Sequence, residues 1–109
     1  TAVEGQIEGG IVMGMGYGLL EDMALKSGNH WVDSFTEYLL PTSQDAPDHI
    51  EIQLLENPDP SGPYGAKGVA EIALAPTAPA VANAVYNAVK VRVRDLPVTP
   101  EKLIQSKLS

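Results

Sequence analysis

Residues 62–71 join a glycine-rich loop to a single carboxylate. The segment has the sequence Gly-Pro-Tyr-Gly-Ala-Lys-Gly-Val-Ala-Glu, ends at Glu71 and precedes an apolar run. Glycines allow a backbone to approach a ligand closely and to adopt positive φ. A carboxylate held where water is scarce is more basic than one in bulk water. The segment therefore predicts a loop that places one acid/base group, Glu71, against a bulky bound ligand.

Other candidate chemistry is sparse. His30 and His49 are isolated and show no metal-ligand spacing, so no residue is predicted to bind a metal directly. The chain has no cysteine, which excludes disulfides, thiolate nucleophiles and cysteine-ligated zinc or iron–sulfur clusters within it. The sequence also has no Ser-His-Asp arrangement and no phosphate-binding P-loop.

The composition indicates an acidic globular chain. It has 109 residues, 44% of them apolar, and its 14 acidic and 7 basic residues give a net charge of −7. The acidic balance argues against binding to nucleic acid or to an anionic membrane surface. The longest apolar stretch, residues 9–20, is shorter than the roughly 20 residues that span a bilayer. We expect a cytoplasmic protein, and the start at Thr1 suggests a fragment of a longer chain.

The elements that position the loop predict an α+β architecture. Residues 6–21 predict a helix in which Gly10, Gly14 and Gly18 recur at four-residue steps. Each glycine in a helix interior costs about 1 kcal/mol relative to alanine, so something must offset this penalty. Close packing against another backbone and close approach of a ligand both remain open as explanations.

Shorter stretches predict a small sheet. A turn at residues 27–29 is expected to join residues 23–25 to 31–32 as a hairpin, with Trp31 in the core. Alternating apolar residues predict further strands at 49–56 and 91–96. Residues 41–48 and 57–66 are predicted loops.

Two more helices follow in the sequence. Thr77 is predicted as the N-cap of the first. Thr99 as N-cap with Pro100 at the first helical position predicts the second. In that last helix three apolar side chains are expected to face the body: Leu103, Ile104 and Leu108. Together the elements predict helices packed on a small mixed or antiparallel sheet.

Two segments carry a resemblance to a known family. One is Gln-Ile-Glu-Gly-Gly at residues 6–10 with the glycine-rich helix after it; the other is Gly-Ala-Lys-Gly-Val-Ala-Glu at 65–71 with residues 76–84 after it. With the tail at 96–101, they resemble the C-terminal part of the molybdenum-cofactor-binding subunit of the xanthine dehydrogenase / aldehyde oxidase family. The resemblance implies that residues 1–109 are a segment of a larger molybdopterin-binding domain.

The resemblance also implies an activity, that of a molybdenum hydroxylase oxidising an aldehyde or a xanthine-type N-heterocycle. Glu71 matches the glutamate that closes the family's motif and would be the general base. It would take the proton from a metal-bound hydroxyl as that oxygen attacks an electrophilic carbon and hydride passes to a sulfido ligand. The isolated 109 residues are expected to be inactive.

Seven residues are implied in cofactor contacts. Gln6 matches a glutamine that hydrogen-bonds the pterin, since a side-chain amide offers both donor and acceptor. Backbone N–H groups of Gly9 and Gly10 are expected to meet anionic parts of the cofactor. Lys67 is expected to pair with either a cofactor phosphate or a neighbouring acid. Gly68 and Val69 would pass near the metal through backbone contacts, and Ala70 is the seventh implied cofactor-binding residue.

Ala70 departs from the family pattern, in which this position is glycine. A methyl group is tolerated there if φ is negative, whereas a positive φ would strain the placement of Glu71.

Cofactors and partners follow from the same resemblance. The implied cofactor is molybdenum–molybdopterin, with or without an added nucleotide, whereas iron–sulfur clusters and FAD belong to other domains or subunits. The implied partners are a small-molecule substrate, the rest of the molybdenum subunit and the iron–sulfur and flavin subunits, with self-association into a homo-oligomer also expected. Two alternatives remain: a non-catalytic binding or assembly module, and a small anion-binding domain that uses the loop at 65–67.

Overall fold

The computed structural model describes residues 1–108 and has an α+β architecture. The elements in chain order are helix α1 (Ala2–Leu19), strand β1 (Leu25–Lys26), strand β2 (Asn29–His30), a 3₁₀ turn (Pro63–Gly65), helix α2 (Thr77–Val89) and helix α3 (Pro100–Leu108). The two strands are antiparallel, with Leu25 opposite His30. The predicted α+β class and antiparallel sheet are confirmed. Among these elements, however, α1 packs against α2, and no helix packs on the hairpin formed by β1 and β2.

The glycine stripe of α1 faces the segment that leads into α2. A Cβ built at Gly10 would lie 2.9 Å from Cβ of Ala73, and one at Gly14 would lie 2.5 Å from Cβ of Thr77. Gly18 is looser, in ordinary van der Waals contact with α2. The two backbones approach more closely than any residue with a side chain would permit. The close-packing explanation of the stripe is therefore confirmed.

The end of α1 is held by contacts from later parts of the chain. Gly16 leaves room for the ring of Pro41, whose Cδ would lie 2.9 Å from a Cβ at that position. Glu21, just after the helix, accepts a 2.7 Å hydrogen bond from the Tyr38 hydroxyl. This bond to a carboxylate raises the pKa of Tyr38 to about 12.

The strands predicted at 49–56 and 91–96 are not formed. Neither segment has a ladder partner within residues 1–108. Burial alternates at the start of each segment: Ile50 and Ile52 are half-buried between exposed neighbours, and Val91 is buried. Leu54 and Leu96, later in the same segments, are each 49% exposed. A two-residue alternation of apolar residues indicates which face of a segment is buried, but a strand also needs a neighbouring strand to hydrogen-bond its backbone groups.

The predicted N-cap at Thr77 is wrong, because Thr77 is the first residue inside α2 and Pro76 precedes it. Its hydroxyl instead donates a 2.9 Å hydrogen bond back to the carbonyl oxygen of Ala73. The predicted cap at Thr99 is confirmed, since α3 begins at Pro100 and the Lys102 N–H reaches Thr99 Oγ1 at 3.4 Å.

Three apolar side chains expected in the core are exposed. Trp31 is 60% exposed, and the Lys26 ammonium lies 4.0 Å from its ring centroid. In α3, Ile104 and Leu108 are 60% and 84% exposed, which leaves Leu103 as the half-buried member of the predicted set. Apolar type alone does not bury a side chain where no element of residues 1–108 packs over it.

Candidate functional site

The loop at residues 57–66 closes on itself and needs its glycines to do so. Gly65 has φ of +77°, and a Cβ there would lie 2.6 Å from Cβ of Pro58. The carboxylate of Asp59 accepts hydrogen bonds from the Ser61 N–H at 2.9 Å and the Ser61 hydroxyl at 2.7 Å. These bonds hold the pKa of Asp59 below its usual value. This part of the loop is therefore a rigid base for the residues that follow.

Gly68 differs from Gly65. Its φ lies outside the left-handed region, and a Cβ built on it meets no atom within 4 Å. Ala70 also avoids positive φ, so its methyl group introduces no strain next to Glu71. The departure from the family pattern at this position is accommodated. The open side of Gly68 is space that residues 1–108 leave unfilled.

Lys67 and Glu71, which flank Gly68 in the sequence, carry unpaired charges within residues 1–108. Both residues are exposed, and neither side chain makes a hydrogen bond or ion pair with residues 1–108. The carbonyl oxygen of Glu71 accepts a 3.2 Å hydrogen bond from the Leu74 N–H, which closes a turn. Val69, between the two charges, is half-buried. The backbone is thus anchored while both charged groups remain free to meet a ligand.

Gln6 lies on α1, exposed and with no hydrogen-bond partner for its amide in the described part of the chain. Gly9 is also exposed, with nothing within 4 Å of a built Cβ. Gly10 is buried beneath Ala73.

The expectation for the N–H groups of Gly9 and Gly10 does not fit the structure. Helix α1 begins at Ala2, so both residues lie in its interior. N–H groups beyond the first turn donate to the carbonyl four residues earlier and are not available to an anion. Gly9 still leaves room for close approach of a ligand, whereas the covered Gly10 does not.

The packing register sets how α1 and the segment after the loop run past each other. The contacts of Gly10 and Gly14 advance by four residues along α1 and by four along the opposing segment, so the two run in parallel. Gln6 precedes the first of these contacts on α1, and Glu71 precedes it on the opposing segment. Both candidate side chains therefore come before the same contact, each on its own segment.

A groove of about 620 Å³ runs beside this junction between α1 and residues 46–50. Its helix side is formed by Gly5, Glu8, Gly9 and Val12. Sequence reasoning missed the groove, because residues 46–50 show no pattern beyond a loop followed by an alternating stretch. The lack of a side chain at Gly9 is the one sequence feature that indicated open space here.

Residues 1–108 show neither a cluster of metal-ligating side chains nor a membrane-spanning helix. The described part of the chain has no group of three or more His, Asp or Glu side chains arranged to hold a metal ion. None of its helices combines the length and apolar character needed to cross a bilayer.

Known proteins share both the sequence and the fold. Residues 1–47 match the family model of a molybdopterin cofactor-binding domain. The aldehyde oxidoreductase molybdenum-binding subunit PaoC of Escherichia coli K12 is 41% identical over 102 residues, covering 91% of this chain and 14% of that protein. The putative xanthine dehydrogenase molybdenum-binding subunit XdhA of the same strain is 38% identical over 104 residues, covering 94% and 14%. The chain belongs to the xanthine dehydrogenase / aldehyde oxidase family of molybdenum-binding subunits.

A solved structure extends this family assignment to the fold. The crystal structure of quinoline 2-oxidoreductase from Pseudomonas putida 86 matches with a TM-score of 0.84 and 38% identity, over 98% of this chain and 14% of that one. The match at 1–47 includes Gln6 and α1. This segment of a molybdenum-binding subunit spans about 14% of the length of these relatives.

Proposed function

We propose that this chain supplies one wall of the molybdopterin site of a molybdenum hydroxylase, with Glu71 as the general base. The observation that carries the proposal is the parallel register of α1 and residues 73–81. Gln6, with its exposed amide, and Glu71, with its exposed carboxylate, both precede the first contact at the same end of this register, and we propose that they face one cofactor. Family membership supplies the cofactor class.

The side chains at this end fit a pterin cofactor. The Gln6 amide can donate and accept, as a ring edge with nitrogens and a carbonyl requires. The unpaired ammonium of Lys67 suits a cofactor phosphate, because no acid among residues 1–108 pairs with it. The open sides of Gly9 and Gly68 allow a flat ligand to lie close to the backbone. The proposed contact set is Gln6, Gly9, Lys67, Gly68, Val69 and Ala70, with Gly10 assigned to packing instead.

When bound, the molybdenum cofactor supplies a Lewis-acidic, redox-active metal centre. Glu71 accepts a proton at its carboxylate oxygen during oxidation of the substrate. General-base assistance of this kind contributes about 10²–10⁴-fold to the rate. The turn closed by the hydrogen bond from the Leu74 N–H fixes the backbone of Glu71, and its carboxylate extends from this backbone without a partner in the described residues.

The remaining components are proposed to lie outside this chain. The substrate is an aldehyde or an N-heterocycle, the two classes named for the relatives. Any iron–sulfur cluster ligated by cysteine must be held elsewhere, because this chain has no cysteine. Partners are the rest of the molybdenum subunit and the iron–sulfur and flavin subunits. The isolated 109 residues are therefore proposed to be inactive.

A substitution in the full-length holoenzyme tests the proposal. Glu71→Gln keeps the size of the side chain but removes the base, so kcat per bound molybdenum should fall about 10²–10⁴-fold. Glu37→Gln, which alters an exposed carboxylate outside the proposed site, is the matched control and should keep the wild-type rate. A Glu71→Gln enzyme with full cofactor and a wild-type kcat would favour the non-catalytic module instead.

A further inference from the structure

We infer that Gly10 is a positioning residue for Glu71, acting through Ala73 and Leu74 rather than through contact with the cofactor. This inference rests on the proposed function, because it concerns the placement of the proposed base. Gly10 is buried, and no side chain could occupy its position without displacing the segment opposite.

The contact at Gly10 bears directly on the turn that begins at Glu71. A Cβ at Gly10 would lie 2.9 Å from Cβ of Ala73 and 3.3 Å from the backbone N of Leu74. That same Leu74 N–H donates the 3.2 Å hydrogen bond to the carbonyl oxygen of Glu71. A methyl group at Gly10 therefore presses on the donor that closes the turn, and the carbonyl it bonds belongs to the proposed base.

The contact at Gly14 fixes the next turn in the same way. A Cβ there would lie 2.5 Å from Cβ of Thr77 and 2.9 Å from the carbonyl oxygen of Leu74. This oxygen accepts a 3.2 Å hydrogen bond from the Thr77 N–H, and the Thr77 hydroxyl bonds the Ala73 carbonyl. Two successive turns, each closed by its own hydrogen bonds, are thus packed closely against the glycines of α1.

Gly18 provides a matched comparison on the same face. A Cβ there would lie 3.5 Å from Cγ1 of Val81, an ordinary van der Waals distance. Alanine at Gly10 or at Gly18 brings a similar gain in helix propensity, because both positions are interior to α1. The difference between the two variants therefore isolates the close contact with Ala73 and Leu74.

The test uses the full-length holoenzyme and measures kcat per bound molybdenum. Gly10→Ala should lower kcat by about 10–100-fold with cofactor content retained, because a displacement near 1 Å can cost about 10²-fold. Adding Ala73→Gly to the same chain removes the opposing methyl group and should restore kcat to within about threefold of wild type. Gly18→Ala should leave kcat unchanged. A wild-type rate in Gly10→Ala would overturn the inference.

The rescue also separates packing from a direct cofactor contact at Gly10. If Gly10 touched the cofactor, Ala73→Gly would not restore the rate, and that outcome would overturn the inference. If Gly10→Ala alone fails to fold or to load cofactor, the double variant carries the test. A loaded, active double variant supports the inference, and a double variant that still fails overturns it.

The same substitution made in a Glu71→Gln enzyme distinguishes this inference from the proposed function. In a Glu71→Gln enzyme the base is already absent, so Gly10→Ala should cause little further loss of kcat. If Gly10→Ala slows both backgrounds by the same factor, the positioning inference fails while the role of Glu71 stands. If Glu71→Gln alone keeps the wild-type rate, the proposed function itself fails.

Discussion

The Val98 N–H donates a 2.7 Å hydrogen bond to the carbonyl oxygen of Gly18. This bond ties the segment before α3 to the end of α1, 80 residues earlier in the chain. Val98 is also among the most buried apolar residues described, with 6% of its surface exposed. The last turn of α1 is therefore fixed from one side by α2 and from another by Val98.

Truncation of Val98 should loosen this end of α1. Val98→Ala removes buried apolar surface worth about 2 kcal/mol, so amide hydrogen exchange around Gly18 should accelerate by about 30-fold. Leu96→Ala is the matched control, because Leu96 is 49% exposed and its truncation should change exchange little. Equal exchange rates in the two variants would show that Val98 does not hold the helix.

Acid should weaken the loop that precedes the proposed base. The folded chain lowers the pKa of Asp59 below its value in the unfolded chain. At a pH above the unfolded pKa, the ionised carboxylate therefore stabilises the loop. This contribution to stability is lost as the pH falls through the lowered pKa of the folded chain. Ser61→Ala removes the hydroxyl donor and should move the pKa of Asp59 upward, as carboxyl NMR titration would measure. An unchanged pKa in Ser61→Ala would contradict the hydrogen bonds described.

Removal of the charge at position 67 should weaken cofactor retention. Lys67 has no acidic partner within residues 1–108, so we expect it to pair with a cofactor phosphate. A hydrogen bond to a charged group contributes about 1.5–3 kcal/mol, and Lys67→Gln should therefore raise the dissociation constant of the cofactor about tenfold or more. Pterin fluorescence after dialysis measures this, with Lys107→Gln as the control. Equal retention in both variants would contradict a contact between Lys67 and a cofactor phosphate.

The isolated 109-residue chain should show no turnover with an aldehyde or an N-heterocycle and an artificial electron acceptor. It contributes about 14% of the length of its relatives and no cysteine ligand for an iron–sulfur cluster. Appreciable molybdenum-dependent activity in an assay of this chain would contradict the proposed dependence on the rest of the subunit.

Local signals in the sequence predicted several elements well. The apolar and glycine periodicity of residues 6–21 predicts α1, and Thr99 with Pro100 predicts the start of α3. Both signals are readable because helix caps and amphipathic faces depend on residues that are close together in the sequence. The hairpin also forms, although its pairing is confined to residues 25–26 and 29–30. The glycine stripe of α1 left close packing and close approach of a ligand both open, and it did not identify the segment that packs there.

The errors arose where the outcome depends on distant parts of the protein. Residues 49–56 and 91–96 alternate as strands do but find no partner strand in the described chain. Trp31 has the character of a core residue, but no element of residues 1–108 covers it. For the site, sequence pattern proposed Gln6 and Glu71 separately. The parallel register that brings their segments together is visible in the structure alone.

A crystal structure of the cofactor-loaded, full-length subunit tests the central claim most directly. We predict that the Gln6 amide lies within hydrogen-bond distance of the pterin and that the Glu71 carboxylate faces the metal side of the same pocket, at most one water away. A Glu71 carboxylate that points into bulk solvent, remote from any metal pocket, would contradict the account.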